Sequence, residues 1–221
     1  NSSRTSFYKR ILFPNLGSYK WSSSETTLPA NETKKEFDKK PVLERFDHQL
    51  KISGLKTFHT LKPDFSWGCS NIDKLISKYN LSDYILLFPF CSEHLQQKKW
   101  PYYDQLIKLI KQNHPNLKIV IAPGPDEIEK AKKLDAVSIL KEDKAISISE
   151  LAGLIKRSKF VVANDTGPAH MAAHLNVKGL SLFGSHTTAY KVSIERENFK
   201  AIQVSDLKNL SAQKVFERLA L

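Results

Sequence analysis

Residues 160–175 read FVVANDTGPAHMAAHL. The segment opens with the apolar run Phe160–Ala163, turns through the polar residues Asp165–Gly167 and continues from Pro168 into helix-forming residues. Proline suits the first turn of a helix because its missing N–H would have no partner there. The pattern therefore predicts a buried strand, a tight turn and a helix, which is one strand–helix unit of a parallel α/β sheet.

The same alternation of short apolar runs and amphipathic stretches extends over residues 82–221. Strands are predicted at Tyr84–Pro89, Leu117–Ile121, Ala136–Leu140, Phe160–Ala163, Gly179–Gly184 and Ala201–Val204. Helices are predicted at Tyr102–His114, Asp126–Leu134, Ser147–Ile155, Pro168–Leu175 and Ser211–Leu219. This order indicates a doubly wound α/β domain, which binds ligands at the carboxyl ends of its strands. Residues 1–81 lack the alternation, and we expect them to contain a few helices and a linker.

Composition excludes several classes of protein. The chain has 221 residues, of which 41% are hydrophobic, enough for a sizeable core. It has no run of about 18 apolar residues that would suggest a membrane-spanning helix. Cys69 and Cys91 lack CxxC spacing, so we expect reduced thiols rather than a zinc site or a disulfide framework.

The net charge of +11 suggests an anionic partner. Nucleic acid, an anionic membrane surface and a phosphate-bearing substrate all fit such a charge. The lysines and arginines are scattered, and no basic stripe is interleaved with aromatic residues. We therefore expect no nucleic-acid partner.

The turn Asp165-Thr166-Gly167 is the strongest candidate for a ligand site. It places the unpaired N–H groups of a helix N-terminus in a loop, where they favour an anion. Gly167 has no side chain to obstruct a phosphate, whereas the Asp165 carboxylate would repel one and suits sugar hydroxyls instead. The alternative interpretation is a capping turn that binds nothing.

Two other strand-to-helix loops carry charged residues that suit a nucleotide. The loop from Phe88 to Pro101 contains Lys98, which would neutralise phosphate charge. The loop after Ile121 contains Glu127, which would bind ribose hydroxyls or merely cap a helix. For either side chain alone, a solvated or capping role is the more economical interpretation.

The histidines suggest a metal site only weakly. His170 and His174 have the i, i+4 spacing of metal ligands, and His186 lies in the polar loop after Phe183-Gly184. However, the HExxH pattern and its intervening carboxylate are absent, so we expect no metal. The backbone of the loop that carries His186 is instead a candidate to line the ligand cleft.

The sequence resembles glycosyltransferase family 9, which includes the ADP-heptose:lipopolysaccharide heptosyltransferases. The resemblance lies in DTGPAHMAA at Asp165–Ala173, in LFG at Leu182–Gly184 and in Lys98 two residues before Trp100-Pro101. It implies a GT-B fold with two Rossmann-like domains. Residues 82–221 would be the carboxyl-terminal sugar-nucleotide-binding domain. Residues 1–81 would be the remnant of an incomplete amino-terminal acceptor domain plus a linker.

The resemblance also assigns roles to site residues. Asp165 would hold the sugar hydroxyls, and Thr166 and Gly167 would meet the diphosphate through backbone N–H groups. His170 would lie beside this site, and Lys98 would stabilise the leaving group. By the same resemblance, Glu127 would bind the ribose. Ser92 would replace a family threonine near the phosphates.

The activity that the resemblance implies is inverting, metal-independent and cofactor-free transfer of heptose from ADP-heptose to the lipopolysaccharide inner core. The acceptor would be lipid A carrying acidic sugars, and the enzyme would be cytoplasmic and peripheral on the anionic inner membrane. The family's catalytic base lies in an amino-terminal glycine-rich loop that has no counterpart here, so we expect this fragment to be inactive alone. A GT-B enzyme with another nucleotide-sugar donor and a non-catalytic nucleotide-sugar-binding module stay as alternatives.

Overall fold

The computed structural model describes residues 7, 11, 22, 23, 26–219 and 221. The chain divides into two compact units. The smaller comprises the described residues up to Lys62 together with Lys191–Ser193, and the larger comprises Pro63–Tyr190 and Ile194–Leu221. The sheet-bearing unit therefore begins at Pro63, before the predicted boundary at residue 82. The interpretation of the two parts as acceptor and donor domains stays a prediction.

Among the described residues, six strands form one sheet in the larger unit. They are Tyr84–Phe88 (β1), Lys118–Ile121 (β2), Val137–Ser138 (β3), Phe160–Asn164 (β4), Gly179–Phe183 (β5) and Phe199–Gln203 (β6). Their order across the sheet is β3-β2-β1-β4-β5-β6, and every neighbouring pair is parallel. This confirms the predicted α/β fold with a Rossmann-like parallel sheet. Successive strands are added in one direction from β1 to β3 and in the other direction from β4 to β6. Such sheets form a ligand-binding crevice where this direction changes, which is between β1 and β4.

The helices follow the predicted alternation. They are Lys34–Phe37 (α1), Val42–Ile52 (α2), Asp73–Lys78 (α3), Tyr103–Asn113 (α4), Ile128–Ala131 (α5), Ile148–Arg157 (α6), Gly167–His174 (α7), Ala189–Val192 (α8) and Ala212–Phe216 (α9). Short 3₁₀ helices span Ser66–Gly68, Glu93–Lys98, Pro125–Glu127 and Leu207–Asn209. None of the described helices is both long and apolar enough to cross a bilayer.

The central strands are apolar along their whole length because both faces of the sheet are covered. Every residue of β1 is buried, and in the register Leu86 lies opposite Val120 on one side and Val161 on the other. The helices begin where the sequence offers a cap. The Ser147 side chain accepts from the Glu150 N–H, while the Glu150 carboxylate accepts from the Ser147 N–H, a capping box that starts α6.

The predicted helix Asp126–Leu134 is shorter and irregular in the structure. Pro125 begins a 3₁₀ turn, and α5 then extends only from Ile128 to Ala131. The Glu127 carboxylate accepts from the Gly124 N–H at 2.8 Å, which tightens the start of this segment. The Glu127 N–H in turn donates to the Gly124 carbonyl at 3.0 Å, which is the i→i+3 backbone bond of a 3₁₀ turn.

Trp100 anchors the loop between β1 and α4 to the core. Its side chain is fully buried, and its indole Nε1–H donates to the Leu210 carbonyl at 2.7 Å. Its backbone N–H donates to the Asn164 side-chain oxygen at 3.1 Å. Asn164 is the last residue of β4, so this bond fixes the long β1 loop directly beside the Asp165 turn.

A glycine allows the close contact between β5 and β6, and we predict that its replacement destabilises the sheet. A Cβ on Gly179 would lie 2.6 Å from the buried Phe199 ring and 2.7 Å from the Val161 carbonyl oxygen. We expect Gly179→Ala to lower the free energy of unfolding in urea by about 1–3 kcal/mol.

Gly167→Ala is the matched control, because no heavy atom of the described residues lies within 4 Å of its Cβ position. Its free energy of unfolding should stay within about 0.5 kcal/mol of the wild-type value. Equal stability of the two variants would contradict the contact derived for Gly179.

Candidate active site at the carboxyl edge of the sheet

A buried carboxylate lies at the end of β4. The Asp165 side chain is 4% exposed and is surrounded by three basic side chains. Lys98 Nζ lies 2.7 Å from Oδ2, and His186 Nε2 lies 3.0 Å from the same oxygen. His170 Nε2 lies 3.5 Å from Oδ1. The structure thus brings Lys98, Asp165 and His170 together as the sequence suggested, and it adds His186.

This cluster fixes the protonation state of Asp165. Burial acts to raise the pKa of its carboxyl, but hydrogen bonds from His170, Lys98 and His186 outweigh burial and hold the pKa well below its ordinary value. The carboxyl is therefore ionised at physiological pH. An acid of such low pKa is a poor proton acceptor, because a general base works best with a pKa near the operating pH.

Each partner of Asp165 comes from a different segment. Lys98 ends the 3₁₀ helix Glu93–Lys98, two residues before the anchored Trp100. His170 lies in the first turn of α7. His186 follows β5, and its ring stacks on Phe183 with centroids 6.0 Å apart and an interplanar angle of 12°. Because β1, β4 and β5 are adjacent, the loops that follow them meet at one edge of the sheet.

The turn after Asp165 leads directly into α7. The Thr166 carbonyl accepts from the N–H groups of Ala169 and His170, and the Thr166 hydroxyl donates to the Asn164 carbonyl at 3.2 Å. Gly167 is exposed, and Pro168 follows it within the first turn. The positive end of the helix dipole therefore faces an open surface, which suits an anion.

A cleft of about 540 Å³ lies beside this turn, between the ends of β1, β2 and β4. Its lining includes four of the predicted site residues, which are Ser92, Glu127, Thr166 and Gly167. Lys98, Asp165 and His170 are not among its lining residues. The predicted site is therefore divided into a cleft and an adjacent charged cluster, which are joined through the peptide bond between Asp165 and Thr166.

Glu127 and Ser92 take part in the local backbone structure as well as in the cleft. Glu127 Oε2 accepts from the Gly124 N–H, so the capping role left open by the sequence is present in the structure. Ser92 is exposed, and its carbonyl accepts from the Leu95 N–H at the start of the 3₁₀ helix. Neither observation tests binding of a ribose or a phosphate, and both roles stay predictions.

His174 lies one turn along α7 from His170 and has a partner of its own. Its Nδ1 lies 3.3 Å from Arg196 Nη2, which fixes Nδ1 as the acceptor. Burial, the Arg196 charge and His170 together lower the pKa of His174 to about 4. His174 is thus neutral at physiological pH. Within the described part of the chain, no group of three or more histidine, cysteine, aspartate or glutamate side chains has an arrangement that could hold a metal.

The contribution of His186 is the main feature that the sequence interpretation missed. The sequence indicates only a backbone contribution from its loop, and it suggests the histidine itself only as a metal ligand. The available signal was its position directly after β5, the strand next to β4, which predicts that its side chain can reach the end of β4.

A parallel sheet whose strand order reverses beside a helix N-terminus and a cleft defines the class of doubly wound α/β proteins, which bind ligands at that edge. The sequence model described as glycosyltransferase family 9 (heptosyltransferase) matches residues 17–219. The chain therefore belongs to glycosyltransferase family 9.

Individual relatives agree with this assignment. The chain is 29% identical over 114 residues to lipopolysaccharide heptosyltransferase 1 of Campylobacter coli. The matched region covers 48% of this chain and 33% of that protein. Its fold resembles that of E. coli heptosyltransferase WaaC with ADP, with a TM-score of 0.59 and 22% identity over 79% of this chain and 54% of that one. E. coli ADP-heptose lipopolysaccharide heptosyltransferase II gives a TM-score of 0.55 and 18% identity over 74% and 51%.

The chain thus spans about a third of the curated relative and about half of the two E. coli enzymes. At identities below 25%, the two structural matches show the shared fold alone. They confirm the α/β, GT-B type assignment for the sheet-bearing unit.

The neutral state of His174 generates a prediction for the pH dependence of stability. Its pKa is about 4 in the folded chain and near 6.5 when unfolded. The unfolded chain therefore binds more protons between these values, so this contribution to stability is present above pH 6.5 and is lost as the pH falls towards 4. Urea denaturation should show a smaller loss of unfolding free energy over this range in His174→Asn, which keeps an acceptor for Arg196.

His114→Asn provides the control, because this histidine follows the end of α4 and lies near Asp83 and Lys159, away from the Asp165 cluster. It should retain the wild-type loss of stability between pH 6.5 and 4. A wild-type slope in His174→Asn would mean that His174 titrates alike in the folded and unfolded chains.

Proposed function

We propose that the chain binds ADP-heptose and belongs to an enzyme that transfers the heptose to the lipopolysaccharide inner core. The observation that carries this proposal is the arrangement at the carboxyl edge of the sheet. An exposed helix N-terminus lies between a cleft of nucleotide size and a charged cluster centred on a buried aspartate. The family membership and the similarity to E. coli heptosyltransferase WaaC with ADP support the same donor.

The proposed site divides the donor into three parts. The adenosine enters the cleft, where Glu127 faces the ribose. The diphosphate binds at the N-terminus of α7, where the backbone of Thr166 and Gly167 provides N–H groups and Lys98 provides a positive charge. The sugar hydroxyls then donate hydrogen bonds to Asp165, whose ionised state suits it as an acceptor.

The proposed reaction inverts the anomeric carbon and requires neither a metal nor a cofactor. The acceptor hydroxyl oxygen attacks that carbon as a base removes its proton, and the bond to the diphosphate breaks. Lys98 and the α7 N-terminus stabilise the negative charge that develops on the departing ADP. Asp165 is unsuited to be the base because its pKa lies well below the ordinary range.

A basic cleft in the smaller unit supports an anionic acceptor. Lys34, Lys35, Lys39 and Lys191 line a space of about 550 Å³ together with Asp38. The Asp38 carboxylate is engaged by Arg45 at 2.9 Å, so it only partly offsets the lysine charges. We infer that this cleft faces the acidic sugars of a lipid A-linked acceptor or the anionic inner membrane, with the protein on the cytoplasmic side.

Donor binding tests the role of Asp165. Asp165→Asn should weaken ADP-heptose binding about ten-fold or more, because it loses charge-assisted hydrogen bonds worth roughly 1.5–3 kcal/mol. Binding of ADP alone should not weaken, because the substitution releases Lys98 for the diphosphate. Titration calorimetry with both ligands measures the two affinities.

Asp83→Asn is the matched control, because Asp83 also lies near a lysine, Lys159, at 3.7 Å but precedes β1 at the opposite edge of the sheet. It should bind both ligands like the wild type. If Asp165→Asn bound ADP-heptose with wild-type affinity, Asp165 would have only a structural role in the turn, and its proposed contact with the sugar would be contradicted. Preference of the wild type for UDP-sugars over ADP-heptose would favour the alternative of a different donor.

Membrane attachment tests the role of the basic cleft. Lys35→Glu and Lys39→Glu together reverse two charges. They should weaken the affinity for phosphatidylglycerol vesicles, measured by co-sedimentation, at least about ten-fold, because each basic residue near the surface contributes roughly 1 kcal/mol. The difference should disappear in about 1 M salt, where the Debye length falls to about 3 Å.

The control reverses Lys132 and Lys133, which gives the same change in net charge in the sheet-bearing unit. Equal loss of vesicle binding in both double variants would show that only net charge matters, and it would contradict a role for the basic cleft.

A further inference from the structure

The two partners of Asp165 Oδ2 differ in how firmly they are held. The Lys98 side chain is 22% exposed and ends in a flexible four-carbon stem, so its ammonium can move towards another anion. The His186 side chain is 8% exposed and stacks on the buried Phe183 ring. One oxygen therefore has a mobile cationic partner and a fixed imidazole partner.

The backbone around His186 is fixed by a single glutamine from β6. Gln203 Nε2 donates to the Gly184 carbonyl at 2.6 Å and to the Thr187 carbonyl at 3.1 Å, while its Oε1 accepts from the Ala189 N–H at 3.3 Å. These bonds bracket His186 on both sides in the chain. The loop thus presents the ring to Asp165 in one orientation.

The His186 ring is suited to donate to Asp165 without a net charge. Nε2 faces the carboxylate, whereas the buried Nδ1 has no hydrogen-bond partner among the described residues. The geometry therefore assigns the proton of the neutral ring to Nε2. His170 also helps to hold the pKa of Asp165 low, but its contact with the other oxygen is longer, at 3.5 Å, and its side chain is one-third exposed.

We propose that His186 is a positioning residue that keeps Asp165 ionised and correctly oriented when Lys98 turns from Asp165 to the phosphates of a bound nucleotide. The proposal rests on the proposed function for its ligand, a nucleoside diphosphate or its sugar ester. A buried carboxylate that lost Lys98 and had no second strong donor would take up a proton or hold the lysine back. The hydrogen bond from His186 keeps Asp165 ionised without Lys98. Lys98 can then bind the diphosphate while Asp165 accepts hydrogen bonds from the sugar.

A ligand-free experiment on the full chain tests the positioning role directly. The pKa of the Asp165 carboxyl is followed by ¹³C NMR in Lys98→Met, which removes the mobile partner and imitates its departure. Asp165 should stay ionised in the neutral range in this variant. Adding His186→Phe, which preserves the stacking ring, should raise the pKa by about one pH unit or more.

Adding His186→Gln to Lys98→Met is the conservative control, since its amide nitrogen reaches the position of imidazole Nε2. It should restore the low pKa, which mere loss of packing would not explain. An Asp165 pKa that is the same with histidine, phenylalanine and glutamine would overturn the proposal. If the phenylalanine double variant does not fold, the Hε2 resonance of His186 decides: removal of Lys98 alone should shift it downfield, and an unchanged resonance would overturn the proposal.

ADP binding then separates this inference from the proposed function. His186→Phe with Lys98 intact should weaken ADP binding about ten-fold, because Lys98 is held back by Asp165, and His186→Gln should restore it. A wild-type chain that binds neither ADP nor ADP-heptose would refute the proposed function but leave the carboxyl result standing. Wild-type ADP affinity in His186→Phe would overturn the exchange of Lys98.

Discussion

A buried negative charge organises the functional edge of this protein. An ionised carboxylate out of water is stable only with close donors, and Asp165 obtains them from segments that follow β1, β4 and β5. The adjacency of these strands in the sheet makes this possible. The carboxylate consequently fixes the relative positions of the very loops that would otherwise be free to vary at the surface.

The Asn164 amide at the end of β4 supports the same arrangement from within the core. By accepting from the Trp100 N–H, it holds the long loop after β1 so that Lys98 reaches Asp165. Asn164 and Asp165 thus have complementary roles. The amide of Asn164 positions the backbone, and the carboxylate of Asp165 binds the basic side chains. The turn continues into Gly167, where the lack of a side chain leaves the helix N-terminus open to an anion.

The sequence predicted the sheet because buried parallel strands are continuous apolar runs, such as Tyr84–Phe88, and polar loops such as Asp165–Gly167 mark their carboxyl ends. It did not predict the pairing of His186 with Asp165, because that contact depends on strand adjacency. The sheet-bearing unit of the structure also includes residues 63–81, which do not show the α/β alternation in the sequence. The irregular segment after Pro63 joins that unit through backbone bonds from Phe65 to His174 and from Ser70 to Ser149, which leave no periodic pattern.

Under the proposed function, the Lys98–Asp165 ion pair also makes the site selective among nucleotides. Before a ligand arrives, the lysine is already engaged by a full negative charge at 2.7 Å. An incoming anion must compete with that carboxylate, and a diphosphate at the α7 N-terminus competes better than a single phosphate because it carries more charge over more oxygens. The ion pair would therefore discriminate against nucleoside monophosphates, and the carboxylate that it releases is the one that receives the sugar. Binding of the leaving group and recognition of the transferred group are thereby coupled through one lysine.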